Sequence, residues 1–149
     1  MLVEAASLFG LALVAAMAGI LPVWATCIYY TAQLGWSPVL VGVVAATGQC
    51  VGYVVLYTAG TGLMAVWPRL ARKVEAAREQ TLHRLRAGFL PTTACAAVFG
   101  VPPMVAVAAI APAFEIGLLP LVGVAFPGRF IRFAVAAGAG GTLATWLFG

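Results

Sequence analysis

Hydrophobic positions in this chain fall in long unbroken runs, not in the one-faced or alternating patterns of a water-facing helix or strand. Ala5 to Ala32 and Val39 to Val66 form two apolar segments joined by Leu34-Gly35-Trp36-Ser37-Pro38. No charged side chain occurs in the 64 residues between Glu4 and Arg69. A helix needs about 20 apolar residues to cross a bilayer core, so runs of this kind read as membrane segments. Beyond a charged stretch the pattern returns in Phe89 to Ala113 and Leu118 to Phe148. The pattern predicts an all-α, polytopic membrane protein forming a single integral domain over residues 1–149.

Prolines interrupt these runs, and they do so twice in the same way. Gly19-Ile20-Leu21-Pro22 is followed by Leu34-Gly35, Pro38 and Gly42. Gly100-Val101-Pro102-Pro103 is followed by Ile116-Gly117, Pro120 and Gly123, roughly 81 residues further on. Paired Gly/Pro-broken apolar segments in corresponding halves point to an inverted repeat with a binding site near the bilayer midplane. Residues 1–66 would form the first half and 88–149 the second. Proline removes an amide donor and clashes with the preceding turn. Pro22 thus predicts either a kinked span or a re-entrant hairpin, and the Pro102-Pro103 pair a broken helix or hairpin. Backbone freed at that depth must rest against protein or a water-filled cavity. Leu118 to Phe148 exceeds one ordinary span, and Pro127-Gly128 is expected to divide it, with a new helix beginning afterwards.

Charge changes the picture at one place. The net charge of +4 is accounted for by residues 67–87, where Arg69, Arg72, Lys73, Arg78, Arg84 and Arg86 outnumber Glu75 and Glu79. Short basic loops stay on the cytoplasmic side, which orients the chain. Pro68 at a first turn, Gly88 as a stop, and apolar Leu70, Val74, Ala77, Leu82 and Leu85 near one face predict an amphipathic helix lying on anionic headgroups. Trp24, Tyr29, Tyr30 and Trp36 gather towards the 34–38 junction, which marks the opposite interface. A multi-pass protein of a prokaryotic cytoplasmic membrane is the expected setting. The N-terminus carries Glu4 and lacks the basic residues of a signal peptide, so it reads as retained.

Candidate chemistry is sparse. Aspartate is absent, the single histidine, His83, lies on the basic helix, and Cys27, Cys50 and Cys95 have no metal-ligand spacing. No hydrolase, metalloprotease or nucleotide motif is present. Enzymatic activity, a metal site and a cofactor are therefore not expected, and nucleic acid is not an expected partner. What remains is Glu115, Arg129 and Arg132, charges beside or within apolar runs where each costs about 2.5–3.5 kcal/mol on insertion scales. Arg129 and Arg132 lie three apart, on one helical face, and guanidinium offers paired donors to phosphate. The alternative is that all three snorkel to an interface. Gln33, Gln49, Thr26 and Thr47 add polar contacts or pack helices. Gly48-x-x-x-Gly52 and Ala134-x-x-x-Gly138 predict close helix packing, within one chain or in a homo-oligomer.

At Gly100-x-Pro102-Pro103, Gly128-Arg129-Phe130-Ile131-Arg132-Phe133 and Ala46-x-Gly48-x-x-x-Gly52-Tyr53, the chain resembles the DedA family, also called the VTT or SNARE-associated domain, in its short single-domain form. That resemblance implies two opposed re-entrant hairpins with packed spans, and lipid transport of the flippase or scramblase kind acting on phospholipid or polyprenyl-phosphate headgroups. The acidic residues common in that family after the first proline motif and after the second-segment glycine are replaced here by Trp24-Ala25-Thr26 and Tyr53. Passive lipid movement is thus implied more than ion-coupled transport. Arg129 and Arg132 would meet the phosphate, Glu115 would balance them, and the breaks at Pro22, Pro102 and Pro103 would open the cavity. The competing readings are a small-solute or ion exporter and a non-transporting, partner-binding membrane module.

Overall fold

The computed structural model describes residues 2–18, 22–66, 88–100 and 103–148. The basic segment 67–87, with Arg69, Arg72, Lys73, Arg78, Arg84, Arg86 and His83, lies outside the described residues, as does Pro102. The described chain is helical, with no strand among the described residues. Among the described residues six α-helices follow one another: α1 (Leu2–Ala18), α2 (Val23–Leu34), α3 (Pro38–Val66), α4 (Gly88–Phe99), α5 (Met104–Ile110) and α6 (Leu118–Phe148). A 3-10 turn, Ala111–Phe114, extends α5. Two of the helices, in Pro38–Gly62 and Leu118–Gly140, are long and apolar enough to cross a membrane.

The helix ends follow local chemistry. Gly35 adopts φ 66°, a left-handed conformation that glycine takes without steric cost, and its amide turns back to the Tyr30 carbonyl to close α2. Trp36 donates its amide to the same carbonyl at 3.2 Å and stacks edge-on against the Tyr30 ring, centroids 5.4 Å apart. Ser37 then caps α3, its hydroxyl accepting the Leu40 amide at 3.3 Å, with Pro38 at the first helical position. Gly88 is itself helical within α4, its carbonyl accepting the Thr92 hydroxyl at 2.7 Å, so it is not the residue beyond a helix end.

Two hairpins result. Tyr30, near the end of α2, donates its hydroxyl to the Glu4 carbonyl at 3.0 Å and shares a 2.7 Å hydrogen bond with the Ser7 hydroxyl. The end of α2 is thus tied to the start of α1, and the tip of this pair is at Pro22. In the second hairpin, Phe89 at the start of α4 meets Phe114 at the end of the 3-10 turn, centroids 6.3 Å apart, and the tip lies at Gly100 and Pro103. Pro22 therefore begins a returning helix and does not kink a straight span.

Helices α3 and α6 run antiparallel between the hairpins. Gly42 faces Ala134 and Phe130, and Gly138 faces Pro38, while at the other end the Tyr57 hydroxyl donates to the Ile116 carbonyl at 3.0 Å. The first limb of each hairpin packs on the long helix that follows it, and the second limb on the other. Thus Gly48 and Gly52 of α3 receive α1 at Phe9, Ala12 and Ala16, and Gly128 of α6 receives α4 at Ala97. Gly140 of α6 receives Ile28 of α2, and Gly60 of α3 receives Ala109 of α5. A buried cluster around Leu8, Cys27, Tyr30, Trp36, Val41 and Ala137 fills the first hairpin's end of the bundle. Another, around Phe89, Ala96, Val107, Ala111, Leu121 and Ala125, fills the opposite end.

Helix α6 is continuous through Pro127, against the expected division at Pro127-Gly128. The ring of Pro127 removes one amide donor and crowds the carbonyl four residues back, that of Gly123, without ending the helix. Contacts with α3 and α4 hold the helix on both sides of the proline. Gly128 marks a helix contact, not a helix start.

Candidate functional site: a cavity between the hairpin tips

The two tips meet midway along α3 and α6 and leave a cavity of about 330 Å³ between them. Pro22, Val23 and Trp24 line it from the first hairpin, and Pro103, Met104 and Val105 from the second. These two triplets stand in the same relation, 81 residues apart, as the proline motifs of the sequence. Gln49 and Tyr53 project from α3, and Arg129, Arg132 and Phe133 from α6. Spacing explains the sets. Gln49 and Tyr53 are four apart, and Arg129, Arg132 and Phe133 are three and four apart, so each group shares one helix face.

Arg129 is the buried charge of this site, 9% exposed. Its guanidinium carbon stands 5.8 Å from the centroid of the Tyr53 ring, within the range of a cation–π contact. The Tyr53 hydroxyl donates to Gln49 Oε1 at 3.0 Å, which fixes the ring below the guanidinium. Arg129 Nε is shut off from solvent and has no hydrogen-bond partner. A buried donor left unmade costs about 1–3 kcal/mol. A ring face replaces part of the lost solvation but supplies no acceptor for that N–H.

Arg132 is half-buried and placed differently. Its Nη1 donates to the Val98 carbonyl at 3.4 Å, at the last turn of α4, where helix carbonyls lack intrahelical partners. Gly100, at φ 84°, lies directly against that guanidinium, and a Cβ there would collide with Nη1. The positive-φ residue and the arginine thus fit one another, and glycine is the residue that serves both needs.

The other sequence candidates divide. Glu115 lies at the far end of the second hairpin, at φ 54° after the 3-10 turn, and does not line the cavity. Roughly 16 Å of helical rise separates the start of α6 from Arg129, so Glu115 does not balance the arginines as expected. Gln49 reaches the cavity, whereas Gln33 is exposed and Thr47 returns its hydroxyl to the Val43 carbonyl at 2.7 Å. Thr26 does not line the cavity. Trp24, expected with the interfacial aromatics, lies instead at the tip. The aromatic cluster at the 34–38 junction consists of Tyr29, Tyr30 and Trp36.

Sequence reasoning alone misses Tyr53 and Gly100 as site residues. A Gln/Tyr pair four apart on an otherwise apolar helix is a signal for Tyr53, though it reads equally as helix-packing polarity. Nothing in the sequence shows that Gly100 abuts Arg132. No protein-family model, curated protein or solved structure matches this chain.

Proposed function

We propose that the protein is a multi-pass membrane protein built as an inverted repeat, and that the tip cavity shelters lipid phosphate headgroups as they cross the bilayer. The repeat reading draws on the two hairpins, the exchange of their limbs between α3 and α6, and the related lining triplets at 22–24 and 103–105. Kinship with the DedA family is part of the same proposal. In this arrangement the prolines place irregular backbone against protein and a cavity, where its free polar groups are tolerated.

The observation that carries the headgroup reading is Arg129, a buried guanidinium on the wall of a cavity between helix breaks. An arriving phosphate supplies a counter-charge to this guanidinium, and charge-assisted bonds of this kind are the stronger class. The start of α2 adds to the field. It opens at Val23 on the cavity with no side-chain cap, and the positive end of a helix favours an anion. Among the described residues the cavity lining holds no carboxylate. Acyl chains would stay in lipid while the headgroup passes the notch. A partner-binding module working through the Gly48/Gly52 face is less favoured, because α1 covers that face within the chain.

The test is lipid movement in vesicles reconstituted with the purified full chain and a labelled phospholipid. Wild type is expected to equilibrate the label between leaflets, and Arg129→Lys/Arg132→Lys, which keeps charge but loses the planar fork, to slow it at least tenfold (about 1.4 kcal/mol). Wild-type rates in a correctly folded double variant would make the arginines structural and remove the headgroup site.

A further inference from the structure

The two arginines three residues apart on α6 do different work, and the proposed headgroup site needs only one of them as a ligand. We infer that Arg129 is the anion-contacting residue, borne on the Tyr53 ring, while Arg132 is a positioning residue that clamps the tip of the second hairpin through Val98 and Gly100. This rests on the headgroup reading for its ligand, a phosphate-type oxyanion, and on geometry alone for the division of labour.

Arg129 has the attributes of a ligand group: a place on the cavity wall, burial and a rigid aromatic support. Arg132 has those of a clamp. One of its nitrogens is committed to the terminal carbonyl of Val98, and its guanidinium abuts a glycine that has no room for a side chain. A cation at a helix C-terminus also opposes the negative end of the α4 dipole. The α4 break at Gly100 is thereby fixed against α6, which keeps Pro103 and Met104 at the cavity wall. Arg132 acts on the anion through the shape of the wall.

The experiment uses the full chain in phosphatidylcholine nanodiscs. Two probes are titrated separately, inorganic phosphate and dihexanoyl phosphatidic acid, and amide exchange is read at Phe99 and Gly100. Arg129→Gln is expected to weaken binding of whichever probe wild type takes by tenfold or more, and to leave exchange at Gly100 unchanged. Arg132→Gln is expected to speed that exchange about tenfold by freeing the end of α4. Arg132→Lys, which retains one donor for Val98, should restore most of the protection. Binding of phosphatidic acid alone assigns the site to a headgroup, and binding of both probes assigns it to the oxyanion itself. Probe binding that survives Arg129→Gln overturns the division, as does equal exchange in Arg129→Gln and Arg132→Gln. A wild-type chain that takes neither probe overturns the headgroup reading and Arg129's part in it, and the exchange rates then decide Arg132's part separately.

Discussion

At the scale of single residues, the arrangement turns on how a buried guanidinium is tolerated. Tyr53 offers Arg129 a π face, and Gln49 holds Tyr53 by its hydroxyl. Tyr53→Phe keeps the ring and leaves Gln49 Oε1 without its donor, a cost of about 1 kcal/mol. Tyr53→Leu also removes the cation–π contact, for a further cost of about 1–2 kcal/mol. Thermal unfolding in detergent should therefore rank wild type above Tyr53→Phe and Tyr53→Phe above Tyr53→Leu. Equal stability of the two variants would show that the ring face does not support Arg129. The arginines themselves were legible as costly charges in an apolar run. Their support was not, because nothing local distinguishes a tyrosine under a guanidinium from one that fills a core.

At the scale of elements, contact between helices is set by glycines used as sockets. At Gly52 a Cβ would stand 2.6 Å from Ala16 Cβ and 3.1 Å from the Leu13 carbonyl, while at Gly62 it would meet nothing within 4 Å. Gly52→Ala should thus destabilise the fold by about 1–3 kcal/mol through overpacking against α1. Gly62→Ala should be neutral or stabilising by up to about 1 kcal/mol, since alanine is the better helix former. Chemical unfolding of the two variants separates socket from surface, and equal effects would contradict the packing. The same logic accounts for Pro127-Gly128. The sequence rule marks a break, but the rule concerns an isolated helix, and here the pair sits where α4 docks. Pro22 and Pro103 do mark breaks, since each stands at the start of a helix that returns along the one before it.

At the scale of the whole molecule, the two hairpins approach the α3–α6 pair from opposite ends. The 34–38 junction lies with the first hairpin's open end and residues 115–117 with the second's. In the membrane reading these lie on opposite faces, with 67–87 on the cytoplasmic face by its charge. With Cys27, Cys50 and Cys95 replaced, Ser37→Cys should react with an impermeant thiol reagent only from outside. Gly117→Cys and Arg78→Cys should react only from the cytoplasmic side. Labelling of Ser37→Cys and Gly117→Cys from the same side would exclude the opposed arrangement.

Composition and run length alone determined the helical class, the long apolar run of α3, the repeated proline breaks and the isolated arginines. These are properties of local chemistry: apolar length, a missing amide donor, a charge without neighbours. Only the tertiary structure decided which limb packs on which long helix, that α6 passes through Pro127, and that Trp24 lies at a tip. It also separated Glu115 from Arg129 and brought Gln49, Tyr53 and Gly100 to the arginines. The physical reason is common to all of these. A helix face is known from sequence only up to its own rotation, and the partner it meets is fixed by where glycines allow another backbone to approach.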